Sequence, residues 1–294
     1  MRKSFIVVLL CLLAGCSLHK IAFQNDSVMA ELDLTTLTNL TADFAEEKVI
    51  EFETFSNLIL EGDFIVIFRQ SEVESIVVKS RKKNTLKYIR HNYDENTLKI
   101  YRKNKFFNWG FTWLASENID VVLKDVNNIP MIQIYITAPD VETITLKKEA
   151  KLLMSSVSIE NIADMRTLHK ERNLPLPNVI LDKLTLNVNK GSSANLLNIE
   201  LNELNINTSG HDTEMEIHLS GKVYQLFVTK KCSGTIYGND LSVQKANIIT
   251  TNGYIHINSV NTLEAHISSL GRIRVYNEPE IVNITGKANR VRFD

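Results

Sequence analysis

From Leu181 onward the chain repeats a short pattern, apolar-x-x-Leu-x-apolar-x-apolar, and a repeat of this kind constrains the fold more than any other sequence feature. It reads Leu181-x-x-Leu184-x-Leu186-x-Val188, then Leu201-x-x-Leu204-x-Ile206, then Val223-x-x-Leu226-x-Val228. After a shorter step through Leu241-x-Val243 it returns as Val260-x-x-Leu263-x-Ala265-x-Ile267. The Leu184 to Leu204 step is 20 residues; Leu204 to Leu226 and Leu241 to Leu263 are 22. Small-residue corners punctuate the units: Ser209-Gly210, Ser220-Gly221, Ser233-Gly234, Asn252-Gly253, Leu270-Gly271 and Thr285-Gly286. Eight of the 11 glycines lie after residue 190, and 29 residues are asparagine. Both types tolerate the left-handed backbone of a sharp corner, so both abundances read as corner chemistry. Short strands turning at this period predict an all-β chain wound as a β-solenoid, each strand pairing with its counterpart one coil away. An antiparallel sandwich also alternates, but it has no need of the period.

Upstream, residues 52–146 carry the same alternation without the repeat. Leu58-x-Leu60, Phe64-x-Val66-x-Phe68, Ile76-x-Val78 and Leu98-x-Ile100 are separated by Glu61-Gly62-Asp63, Gln70-Ser71-Glu72 and Asp94-Glu95-Asn96. Half-buried strands bounded by turns have this signature. Val121-Val122-Leu123, residues 131–137 and Val141-x-x-Ile144-x-Leu146 continue it. The one credible helix lies within 158–172, where Ile159, Ile162, Met165 and Leu168 recur and Pro175 stops the run. The segment 158–177 therefore reads as a short helical or irregular insertion.

The N-terminus carries an address. Arg2 and Lys3 precede an apolar run from Phe5 that ends in Leu13-Ala14-Gly15-Cys16. The run is shorter than the ~20 residues a membrane-spanning helix needs, so residues 1–15 read as a signal peptide. A small-residue pair before a cysteine resembles the lipobox of bacterial lipoproteins, which implies a lipid anchor on Cys16, the first residue of the mature chain. Ser17, in place of an aspartate, resembles the outer-membrane sorting signal of Gram-negative lipoproteins. Residues 16–50 fit no single period and read as a lipid-anchored tether, able to dock on the body, with the folded domain spanning 51–294. Without the signal peptide 31 basic residues face 34 acidic ones, and Cys16 and Cys232 are the remaining thiols. Stability then rests on burial and backbone pairing rather than on disulfides.

These residues resemble the putative auto-transporter adhesin head GIN domain family over 52–293. Its opening is matched by Phe55-Ser56-Asn57-Leu58-Ile59-Leu60-Glu61-Gly62-Asp63-Phe64-Ile65-Val66-Ile67, and its middle by Thr97-Leu98-Lys99-Ile100 and Ile136-Thr137-Ala138-Pro139. Gly271-Arg272-Ile273-Arg274-Val275-Tyr276-Asn277-Glu278-Pro279 and Ile284-Thr285-Gly286 resemble its closing coil. The resemblance implies a right-handed β-helix-like fold in exported, often lipid-anchored proteins of Bacteroidetes, with an adhesive role and no catalytic residues. The chain departs from the family in its few corner glycines and in Asn277, which stands where the family has glycine.

Chemistry is sparse. Lys plus Arg (33) nearly balances Asp plus Glu (34), which argues against nucleic acid and polyanions and for recognition by shape, stacking and strand edges. The aromatic segment Phe106, Phe107, Trp109, Phe111 and Trp113 holds both tryptophans; exposed, it forms a platform for a glycan or an envelope protein. Its spacing of two equally suits the core face of a strand or a cap on the solenoid end. His169, His211, His218, His256 and His266 lack metal-site spacing, and no cofactor is expected. Asp182, Glu200, Glu214, Glu216 and Glu264 are scattered, and Gly-x-Ser-x-Gly, His-Glu-x-x-His and phosphate-loop motifs are absent. The sequence thus reads as a non-catalytic envelope lipoprotein, an adhesin or scaffold; the alternative is a carbohydrate-active β-helix enzyme.

Overall fold

Strict alternation of apolar and polar residues leaves a strand one dry face, and in this chain the dry faces share one core. The structure, a computed structural model, describes residues 44–103, 132–156, 178–189, 191–210 and 215–294. Among the described residues it is all-β, with strands β1 (Glu46–Val49), β2 (Asn57–Glu61), β3 (Ile65–Gln70), β4 (Ser75–Ser80), β5 (Ile89–Asp94) and β6 (Thr97–Arg102). β7 (Ile132–Ala138), β8 (Thr143–Lys147) and β9 (Lys151–Ser155) precede four long strands and one of intermediate length: β10 (Val179–Asn189), β11 (Ser193–Ser209), β12 (Glu216–Lys230), β13 (Thr235–Thr250) and β14 (Tyr254–Ile267). β15 (Arg272–Tyr276), β16 (Ile281–Gly286) and β17 (Val291–Phe293) close the chain. The described helical residues are two three-residue 3-10 turns, Leu86–Tyr88 and Ala288–Arg290. The expected helix or insertion at 158–177 lies outside the described residues.

All strands belong to one curled, open sheet, which divides into two parallel ladders. One runs β6, β2, β8, β10 and then the second halves of β11 to β14, ending on β16. The other runs β7, β3, β9, the first halves of β11 to β14, then β15 and β17. Register shifts inside β11, β12 and β13 mark where each strand passes from one ladder to the other. Antiparallel strands finish the N-terminal side: β5 pairs with β6, β4 with β7, and β1 with β4. β1 lies in the stretch that the sequence assigns to a tether. There Ile50 is buried and its amide donates to the Ile76 carbonyl, so ordered pairing begins before residue 51.

Each ladder stacks its inward side chains in a column. Leu58, Ile144, Leu186, Ile206, Val228, Ile248 and Ala265 form one, and Val66, Leu152, Ala194, Ile217, Ile236, Ile255 and Ile273 the other, within one apolar cluster. The repeat leucines fall in register, with one correction. Leu184, Leu204 and Leu226 align, but the next position is Ala246, which sits opposite both Leu226 and Leu263. Leu241, the residue that the pattern paired with Leu263, lies opposite Gly221. Alanine at the leucine position hid this unit, Val243-x-x-Ala246-x-Ile248, from the apolar pattern.

Asparagine also differs from expectation. Only Asn84, Asn198 and Asn277 have left-handed backbones among the described asparagines. Side-chain amides, those of Asn198 and Asn277 included, join neighbouring passes on the outer face. Asn207 donates to Asn187 at 3.0 Å, Asn198 to Asn178 at 2.7 Å, Asn202 to Asp182 at 2.7 Å and Asn277 to Asn258 at 3.0 Å. In-register parallel strands set like amides one rung apart, which is the geometry of an asparagine ladder. Glycine does keep the corner role. Gly253 has φ +76°, and a Cβ there would lie 2.6 Å from the Lys230 ammonium nitrogen.

Lys230 is fully buried, and its ammonium donates to the carbonyls of Cys232 (2.7 Å) and Ser233 (3.3 Å). Burial pushes its pKa down from the ordinary lysine value. The side chain satisfies turn carbonyls that face away from water, and Gly253 leaves it the room. Replacing it by methionine keeps the volume but removes the donor, so Lys230→Met is expected to cost about 1–3 kcal/mol in a urea unfolding titration.

Candidate functional site

The residues expected to carry function, Cys16 as lipidation site and Phe106, Phe107, Trp109, Phe111 and Trp113 as a ligand platform, lie outside the described residues. A different aromatic array emerges from the register itself. In the first halves of β12 to β14 and in β15, every second residue points outward, because Ile217, Ile236, Ile255 and Ile273 take the inward positions. The ladder sets His218 opposite Tyr237, Tyr237 opposite His256, and His256 opposite Arg274. Two residues earlier it aligns Glu216, Thr235, Tyr254 and Arg272.

The rings meet across the rungs. His218 and Tyr237 are stacked, with centroids 4.6 Å apart and planes 9° from parallel. Tyr237 and His256 lie 5.7 Å apart, and His256 and Tyr276 6.3 Å. The guanidinium of Arg274 lies 4.9 Å from the Tyr276 centroid, and that of Arg272 lies 5.3 Å from the Tyr254 centroid. Arg272 also donates to the Tyr254 hydroxyl at 3.1 Å. Such cation–π contacts fix both partners and leave ring edges toward solvent. Tyr254 is 45% exposed. Beside this array lies a depression of about 600 Å³ whose lining includes Glu216, Thr235, Tyr237, Tyr254, Arg272 and Arg290.

Charge on this face is uneven although the whole chain is nearly neutral. Asp294 binds both Arg274 and Arg292, and these pairs hold its carboxyl below the usual range. Arg290 lines the depression, and its terminal nitrogen Nη1, itself buried, has no hydrogen-bond partner. A desolvated guanidinium donor is a strong site for an anion. At the opposite end Glu216 lies 3.7 Å from His218. The site therefore offers ring faces, phenol and hydroxyl groups, and cationic donors on one side.

Of the carboxylates that a glycosidase or lyase would need, Asp182 and Glu200 line one depression on neighbouring strands, and Glu264 lies apart from them. Asp182 accepts from Asn202, Glu200 from Asn178, and Glu264 from Asn247. Among the described residues no three His, Cys, Asp or Glu side chains are grouped to hold a metal ion. Cys232 is buried, its thiol 3.2 Å from the Thr208 hydroxyl. The aromatic array was present in the sequence as an unread spacing: His218, Tyr237 and His256 are each 19 residues apart, one pass of the chain.

Comparisons with known proteins agree with this fold. The model of the family described as "Putative auto-transporter adhesin, head GIN domain" matches residues 54–279, and the chain belongs to that family. Among solved structures, a "putative adhesin" from Bacteroides fragilis superposes with a TM-score of 0.60 at 14% identity, covering 84% of this chain and 93% of that one. A second "putative adhesin", from Parabacteroides merdae, gives 0.54 at 16% identity, covering 85% and 95%. A "putative lipid binding protein" from Parabacteroides distasonis gives 0.53 at 17% identity, covering 84% and 93%. At these identities the likeness is one of fold. No curated protein matches the chain. No described helix is long and apolar enough to cross a membrane.

Burial holds His218 below the ordinary imidazole value of 6.5, with Glu216 opposing the shift. The folded protein then binds fewer protons than the unfolded chain as pH falls below about 6.5, so this histidine lowers stability on acidification. His218→Phe keeps a ring against Tyr237 and is expected to flatten the fall in unfolding free energy between pH 7 and 5, measured by urea titration at each pH.

Proposed function

We propose that this chain is a non-catalytic binding module of the cell envelope, adhesive in role, and that its ligand is a glycan bearing acidic groups. The observation that carries this reading is the outward array of Tyr237, Tyr254, His218 and His256 beside the unpartnered guanidinium nitrogen of Arg290. Sugar rings stack on aromatic faces through their C–H bonds, and a carboxylate or sulfate on such a ring suits a desolvated arginine. Neighbouring strands lie about 4.8 Å apart, a distance comparable to a sugar ring, so adjacent rungs meet adjacent residues of an extended glycan. Family membership supports adhesion over turnover.

In this reading the domain from 51 to 294 winds as a right-handed β-solenoid, and the two parallel ladders are two of its faces. Residues 1–15 direct export, Cys16 carries the lipid that holds the protein at the outer membrane, and residues 16–50 lead from the lipid to the domain. The platform at Phe106, Phe107, Trp109, Phe111 and Trp113 supplies a second contact for glycan or envelope protein.

Binding of the full chain to immobilised acidic and neutral polysaccharides tests the ligand. Tyr254→Ala and Tyr237→Ala are each expected to weaken binding about tenfold. Arg290→Gln should weaken binding to the acidic glycans only; retention of acidic glycans at parental affinity by all three variants would overturn the assignment. The address has its own measurement. Cys16→Ala should move the protein from the membrane to the soluble fraction of fractionated cells, and full membrane retention would sink the lipid anchor.

A further inference from the structure

The two ends of the sheet are finished differently. At the N-terminal side the outermost described strands are β1 and β5, and both carry charge: Glu46, Glu47 and Lys48 on one, Arg90 and Asp94 on the other. Charged residues on an edge discourage pairing with a further strand. At the C-terminal side, among the described residues, β16 pairs only with β14 and β17 only with β15. β16 reads Ile281-Val282-Asn283-Ile284-Thr285-Gly286, with no charge and no proline. It is rich in β-branched residues and has none of the usual edge protection.

Among the described residues the core also runs on to this end without a cover. Val282 lies opposite Leu263 in the ladder and so faces inward, yet it is 41% exposed while Leu263 is fully buried. Phe293, opposite the buried Val275, is 37% exposed. Ile284 and Val291 are half-buried against the same core. The last rung thus presents an open backbone edge and an apolar strip together.

Charge decides what covers it. Glu278 and Glu280 precede β16, and Lys287 and Arg290 follow it. Parallel pairing of this segment with a copy of itself sets like charges together. Antiparallel pairing sets the acidic end of each copy against the basic end of the other. We propose that β16 is a homodimer edge, pairing antiparallel with β16 of a second copy about a two-fold axis through Asn283. In this register Val282 lies opposite Ile284 of the partner copy, so inward side chains meet inward side chains and both open cores become one. Glu280 comes opposite Gly286 and Lys287 opposite Pro279, so the acidic end of each copy lies one residue from the basic end of the other. The interface is isologous and closed, so association stops at two.

Cysteine cross-linking in membranes of cells that make the full chain tests this. On the axis Asn283 faces its own copy, with Cβ atoms about 4.5 Å apart, at the upper end of disulfide reach. Asn283→Cys, oxidised with copper–phenanthroline, is expected to give a reductant-sensitive band at twice the chain mass. Gln244→Cys, outward and in the middle of the sheet, is expected to give none. Glu280→Lys or Lys287→Glu in the Asn283→Cys background should lower the yield at least threefold, and the double exchange should restore it. Melting temperatures equal to that of the parent show that each variant is folded. Absence of the band from a folded Asn283→Cys variant, a band indifferent to the charge exchanges, or a product with another protein instead would each overturn the dimer.

Discussion

Register between successive passes of the chain is the constraint on which the rest of this structure depends. In a parallel ladder a slip of one residue turns every inward side chain outward. Burial of the two apolar columns therefore fixes each pass against the one before it, and it does so over the whole length of the repeat region. Everything on the outer face inherits that alignment. The asparagine pairs, the stacked rings and the Arg272–Tyr254 contact join residues of neighbouring passes that the inward apolar residues bring together.

This dependence explains what was legible in the sequence. Alternation located β2, β3, β4, β6, β7 and β8, and the leucine repeat gave the parallel stacking with its period. It missed the fourth unit because Ala246 contributes little apolar signal, although a packed column accepts it readily. β5 and β9 escaped for a related reason. Ile89–Asp94 is mostly polar, and Lys151–Ser155 is buried along most of its length, so neither alternates cleanly. Asparagine was read through its backbone tolerance, when its side-chain amide was the larger factor. That role depends on a partner about 20 positions away, which no local window contains.

The site was less legible than the fold. Aromatic density drew attention to 106–113, whereas the described array is assembled from single aromatic residues far apart in sequence. Overall neutrality concealed a local excess of arginine, since Arg272, Arg274, Arg290 and Arg292 fall within the last 23 residues. Two of these share Asp294, a third lies on Tyr254, and the fourth keeps a buried nitrogen unpaired. Composition averages over such arrangements; only the register separates a neutralised arginine from an available one.

The 19-residue interval between His218, Tyr237 and His256 has a consequence for how such a surface changes over time. Because each pass contributes one position to each outer column, duplication of a single pass lengthens the binding face by one step and leaves the core pattern intact. A substitution at one outer position alters one step alone. The face behaves like a keyboard whose keys are replaced singly while the frame beneath them stays the same.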